Sequence, residues 1–190
     1  MSEKDDLLAI LKRLRKYASY FEWTDKQRKE LGVVEELLKA MELSGEKRFQ
    51  SPRYGPSANH APDCVVLNQN DELVAIEVCE MVSGKAIQCN IGVKDAKDAV
   101  YCDWLPEHVT EEVGNILLRK DNVNYIGGPY SNIVVVIHSD ETVVVHSTCA
   151  AALESRIYDK PNKINEAYFL FSYGPEFNYC PYVKLKFRDS

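Results

Sequence analysis

The chain has 190 residues, 45% of them hydrophobic and 27% charged, a composition that excludes fibrous and disordered architectures and fits one domain around one core. Its net charge of -6 argues against non-specific coating of nucleic acid, although residues 1–53 carry 12 Lys/Arg against 10 Asp/Glu and the remainder 11 against 19. The start Met1-Ser2-Glu3-Lys4-Asp5-Asp6 has neither the basic head nor the apolar centre of a secretory signal, and the apolar run 133–137 is far short of a bilayer span, so the expectation is a cytoplasmic protein with no membrane.

In chain order, residues 5–20 predict an amphipathic helix. Leu7, Leu11, Leu14 and Ala18 recur at helical spacing, Asp5 and Asp6 fill the first turn, and Lys12, Arg13, Arg15 and Lys16 follow as the helix dipole prefers. Thr24-Asp25-Lys26-Gln27 fits a capping box, which predicts a second helix from Thr24 with Leu31, Val34, Leu38 and Met41 as its buried stripe and Gly45 as its stop. On that phase Glu35 and Glu42 border the stripe and Glu36 points away. Residues 49–62 hold Ser51-Pro52 and Tyr54-Gly55-Pro56-Ser57 and predict a loop. Two strands follow, 64–68 and 73–79, joined by the turn Gln69-Asn70-Asp71-Glu72.

Residues 91–101 are ambiguous. The segment 106–120 predicts a helix, with Pro106 in its first turn and Val109, Val113, Ile116 and Leu117 spaced for packing. The β-branched run in 132–138 predicts a buried central strand, 143–158 a further helix, and 166–172 and 182–187 two more strands. The expected fold class is α/β: a single-domain sandwich with a central mixed sheet flanked by helices, residues 1–48 forming N-terminal helices packed on a core of 49–190.

Side chains alternate along a strand, so Leu73, Ala75, Glu77 and Cys79 share one face of theirs. Glu77 is thus a carboxylate inside an apolar strand, where an ionised acid costs several kcal/mol unless compensated. Asp63 begins the preceding strand, and a turn near Asn70 lies about seven residues from both acids, which sets Asp63 opposite Glu77. Two facing carboxylates call for something positive between them, and a divalent cation is the simplest answer.

Pro62-Asp63, thirteen residues, then Glu77-Val78-Cys79 resembles the core of the PD-(D/E)XK, or restriction-endonuclease-like, superfamily, and the surrounding order of acid-bearing helix, hairpin, helix and apolar strand is similar to it from about Val33 to His138. The resemblance implies a metal-dependent nuclease hydrolysing DNA or RNA phosphodiesters. It implies that Asp63, Glu77 and the backbone carbonyl of Cys79 hold one or two Mg²⁺ (or Mn²⁺), with Glu35 adding a water-mediated ligand. One departure stands out: Cys79 occupies the position of the family's lysine. A thiol is largely neutral at pH 7 and does not replace an ammonium, so a lysine from a neighbouring element is required, Lys120 first (followed by Tyr125) and Lys85 second. Without one, the chain is a catalytically inactive binding or immunity-type protein of the same fold.

Other chemistry is poorly served. Glu80 falls on the strand face opposite Glu77, and His60 sits in the loop before Asp63. No phosphate-binding, nucleophile-elbow or zinc-protease motif occurs. Six cysteines without CxxC spacing predict reduced, buried thiols, and a Cys79/His60/Asp63 thiol hydrolase has the residue types but no family signature.

Overall fold

The computed structural model describes residues 25–82, 104–139, 141 and 143–189; the helix expected over 5–20, Thr24, Lys85 and residues 91–101 lie outside the described residues. The first described helix, α1 (Lys26–Leu43), is capped by Asp25, one residue later than the Thr24 expected, its carboxylate accepting the amides of Gln27 at 3.0 Å and Arg28 at 3.4 Å. Gly45 follows the helix at φ +85, the left-handed turn that glycine adopts without strain. The buried stripe is Glu30, Val33, Val34, Leu37, Ala40 and Met41, with Leu31 and Leu38 only partly covered. It is therefore rotated from the stripe centred on Leu31, Val34, Leu38 and Met41.

Residues 49–62 do not form one loop. Phe49–Tyr54 is a strand, β1, with a bulge between Gln50 and Arg53 that accommodates Pro52 and a positive φ of 55° at Ser51. It pairs antiparallel with β2 (Cys64–Asn68), which pairs antiparallel with β3 (Leu73–Glu80). After α2 (Pro106–Asp121), β4 (Asn132–His138) joins β3 in parallel and is the buried central strand its β-branched run predicts.

The expected helix over 143–158 shrinks to α3 (His146–Ser155), because Arg156 turns to extended backbone and Ile157–Tyr158 becomes a short strand, β5. β6 (Glu166–Leu170) runs parallel to β4. The last expected strand divides into β7 (Tyr182–Lys184), antiparallel to β6, and β8 (Lys186–Phe187), parallel to β5. The division falls at Leu185, whose amide still donates to the Ala167 carbonyl at 2.9 Å.

The result is a mixed six-stranded sheet in the order β1-β2-β3-β4-β6-β7 beside a two-stranded sheet of β5 and β8. On one face α1 packs against Cys64, Val66, Val74, Ile76, Val134 and Val136. On the other, α2 and α3 cover Cys79, Val135, Ile137, Ala167 and Phe169. Each buried aliphatic side chain contributes about 1.5–3 kcal/mol, so the two layers together fix β3 and β4 at the centre. Among the described residues no helix is long and apolar enough to cross a membrane.

Candidate functional site

The β2–β3 register pairs Cys64 with Ile76, Val65 with Ala75, Val66 with Val74 and Leu67 with Leu73, so one further step sets Asp63 opposite Glu77. Asp63 does not continue the ladder with its backbone. Its side chain does so instead, Oδ2 accepting the Val78 amide at 2.9 Å, while its carbonyl accepts the Gly55 amide at 2.9 Å. Gly55 is obligatory here, since a Cβ would stand 1.8 Å from the Pro62 carbonyl oxygen. The β1–β2 loop is thereby clamped to the carboxylate it delivers.

Glu77 is 8% exposed, and its Oε1 lies 2.5 Å from Lys120 Nζ. Lys120 stands in the last turn of α2, where the helix dipole favours a cation. Burial raises the Glu77 carboxyl above the ordinary range and Asp63 pushes the same way; the Lys120 ammonium opposes both.

The acid that α1 brings to this cluster is Glu30, not Glu35. Glu35 is exposed and lines a cleft of about 620 Å³ between α1 and β1, with Lys39, Glu42 and Phe49. Glu30 is buried, its carboxyl raised by burial and then by Asp63, and it pairs with Lys26 at 3.1 Å. The signal was present in the sequence: Glu30 lies three, four and seven residues before Val33, Val34 and Leu37, on the apolar stripe itself.

The backbone carbonyl beside Asp63 is also not the one expected, Cys79. Alternation along β3 turns the Cys79 amide and carbonyl toward β4, as it does for Met81, whose amide donates to the His138 carbonyl at 2.7 Å. Val78 presents its amide, and with it its carbonyl, on the Asp63 side. The Cys79 side chain is buried in the α2 layer, and burial pushes its thiol up to about 12. His60 is exposed, so the two do not form a nucleophile–base pair. Cys64, Cys149 and Cys180 are likewise buried and not disulfide-bonded. Glu80 is exposed and pairs with His138 in the parallel register, one step out of phase with Glu77.

Tyr125 follows α2, and its hydroxyl is buried without a hydrogen bond. Burial, then the negative charge of Glu77, hold it firmly protonated, with the Glu77 carboxylate as the acceptor nearest to it. Among the described residues no three His, Cys, Asp or Glu side chains close a protein-only metal cage. Magnesium does not require one: it is held by one or two carboxylates and completes its shell with water and phosphate oxygens. The hard-oxygen set of Asp63, Glu77 and the Val78 carbonyl fits that mode.

No family model, curated protein or solved structure matches the chain.

Proposed function

We propose that the chain is a Mg²⁺- or Mn²⁺-dependent, nuclease-type phosphodiesterase of PD-(D/E)XK character. The observation that carries this reading is the meeting of Glu77, Asp63 and Lys120, one acid inside β3, one at the entrance to β2 and a lysine 2.5 Å from the buried acid. The element order supports it: α1, an antiparallel β1-β2-β3 meander, α2, then parallel β4.

Asp63, Glu77 and the Val78 carbonyl would hold the ion, which when bound lowers the pKa of its water and stabilises charge on the phosphate oxygens. Lys120 supplies the ammonium that Cys79 lacks and orients the attacking water. Glu30 has a carboxyl able to take up a proton, and the Tyr125 hydroxyl, beside Glu77, is the donor nearest the ion's place. In the hydrolysis, water oxygen bonds to phosphorus, the ester P–O bond breaks, and the leaving oxygen takes a proton.

One observation favours the second reading, a catalytically inactive binding or immunity-type protein: Lys120 pairs directly with Glu77 and compensates its charge. A cleavage panel over single- and double-stranded DNA and RNA with Mg²⁺ and Mn²⁺, beside calorimetric metal titration, separates the two. Metal binding and cleavage lost together in Asp63→Asn and Glu77→Gln are expected. Wild-type protein that takes up no metal at millimolar concentration and cleaves nothing overturns the proposal in favour of the inactive form.

A further inference from the structure

α2 carries Lys120 beyond the point where the core holds the helix. Leu117 is its last buried residue, whereas Leu118 and Arg119 are exposed. A helix end in that position frays unless polar contacts tie it down. Asp121 supplies them. Its Oδ1 accepts the amides of Lys163 at 2.7 Å and Ile164 at 3.3 Å, and its Oδ2 accepts the Asn162 amide at 2.9 Å and side-chain Nδ2 at 3.2 Å. An acid closing a helix stands at the unfavourable end of the dipole, so α2 by itself gives no reason for one there. Burial pushes the Asp121 carboxyl up, but the three amides outweigh burial and hold it below its ordinary value.

The segment that Asp121 grips is itself fixed to the sheet. Ile164 is buried in the core on the α2 side. Asn165 exchanges two bonds with Ile133 of β4, its amide donating to the carbonyl at 2.9 Å and its Oδ1 accepting the amide at 2.7 Å. Lys163 then reaches back past the end of α2, its Nζ donating to the Val123 carbonyl at 3.2 Å and to Asn124 Oδ1 at 2.7 Å. Contacts thus run unbroken from the end of α2 to β4, whose Val135 lies beside Glu77. We propose that Asp121 is a positioning residue: by fastening the end of α2 to the entrance of β6, it holds the Lys120 ammonium against Glu77. The placement stands on these contacts, and its effect on turnover rests on the phosphodiesterase reading.

An NMR titration of the Glu77 carboxyl in the metal-free full chain tests it, the signal being assigned by its loss in Glu77→Gln. Lys120 opposes the rise that burial and Asp63 impose on that carboxyl, so Asp121→Ala, by releasing Lys120, should raise its midpoint by about half a pH unit or more. Loss of the Asp121 charge alone has the opposite sign, because removing a negative neighbour lowers a carboxyl's midpoint. Asp121→Glu keeps the charge but overshoots the three amides by one methylene; it should also raise the midpoint, and it decides the matter if Asp121→Ala does not fold. In a Lys120→Met background neither substitution should raise the midpoint further. A midpoint that stays or falls overturns the inference, as does an equal rise without Lys120. Hydrolysis of bis(4-nitrophenyl) phosphate separates the two claims, with kcat in Asp121→Ala expected to fall about tenfold or more. If the midpoint rises while the wild type neither binds metal nor turns over, the phosphodiesterase reading alone falls; if the wild type turns over and the midpoint stays, the positioning role alone falls.

Discussion

The Lys120 ammonium and the Glu77 carboxylate meet at 2.5 Å between the last turn of α2 and the interior of β3. Each partner is costly alone, because Glu77 is buried beside a second acid. Lys120→Met is expected to destabilise the chain by about 2 kcal/mol, less than a fully buried pair would lose because the Lys120 side chain is 31% exposed. Adding Glu77→Gln should recover most of that loss. Denaturant midpoints of the single and double variants check it; a double variant as unstable as Lys120→Met contradicts it.

Glu30 and Glu77 both hold their protons above the ordinary carboxyl value of 4.5. The unfolded chain releases those protons first, so their contribution to stability is fullest below 4.5 and declines as pH rises through the raised folded values. At neutral pH a divalent ion should reverse the decline, adding about 2.7 kcal/mol at a concentration of about 100 Kd. Thermal melts with and without Mn²⁺ read this directly. Asp63→Asn should lose the metal shift, and Glu30→Gln should flatten the slope above pH 4.5.

His138, at the end of β4, carries the opposite dependence. Burial, with the Lys29 charge adding to it, depresses its imidazole from 6.5 to about 4. Glu80 pairs with it in the neighbouring strand. The unfolded chain gains that proton first, so stability is full above 6.5 and is lost as pH falls toward about 4, by about 3 kcal/mol over the interval. Stability curves of wild type and His138→Phe should diverge from one another only below about pH 6.5, where the wild type alone declines.

Tyr125→Phe removes a buried hydroxyl that makes no close hydrogen bond but faces Glu77, so the fold should change by no more than about 1 kcal/mol. If that hydroxyl waits for a phosphate oxygen, the same variant should lower metal-dependent cleavage about tenfold or more. A melting temperature that holds while turnover falls is the expected pair of results; unchanged turnover removes Tyr125 from the site.

Much of this site was legible before any coordinates. The Asp63–Glu77 pairing follows from counting residues about the Asn70 turn, and β2–β3 keeps that register without a slip. Lys120 was legible because a lysine had to come from somewhere once Cys79 filled the usual place. Glu30 was hidden by the phase assigned to α1: centring the stripe on Leu31 and Leu38 swings Glu35 inward and Glu30 out, whereas Val33, Leu37 and Ala40 are the covered residues. A helix with both leucines and valines on adjacent rows leaves that phase open, and only the sheet beneath decides it. β1 was hidden by Ser51-Pro52, since local turn chemistry outweighed pairing that only the finished sheet supplies.

The irregularity in β1 has a consequence beyond the site. β1 is an outermost strand, and a straight one would offer its unsatisfied amides and carbonyls to any passing extended chain. Pro52 deletes one donor and the Ser51 kink spoils the spacing of the rest, while the opposite border, β7, is only three residues long. Among the described residues both margins of the sheet are thus poor templates for edge-to-edge pairing with a second copy.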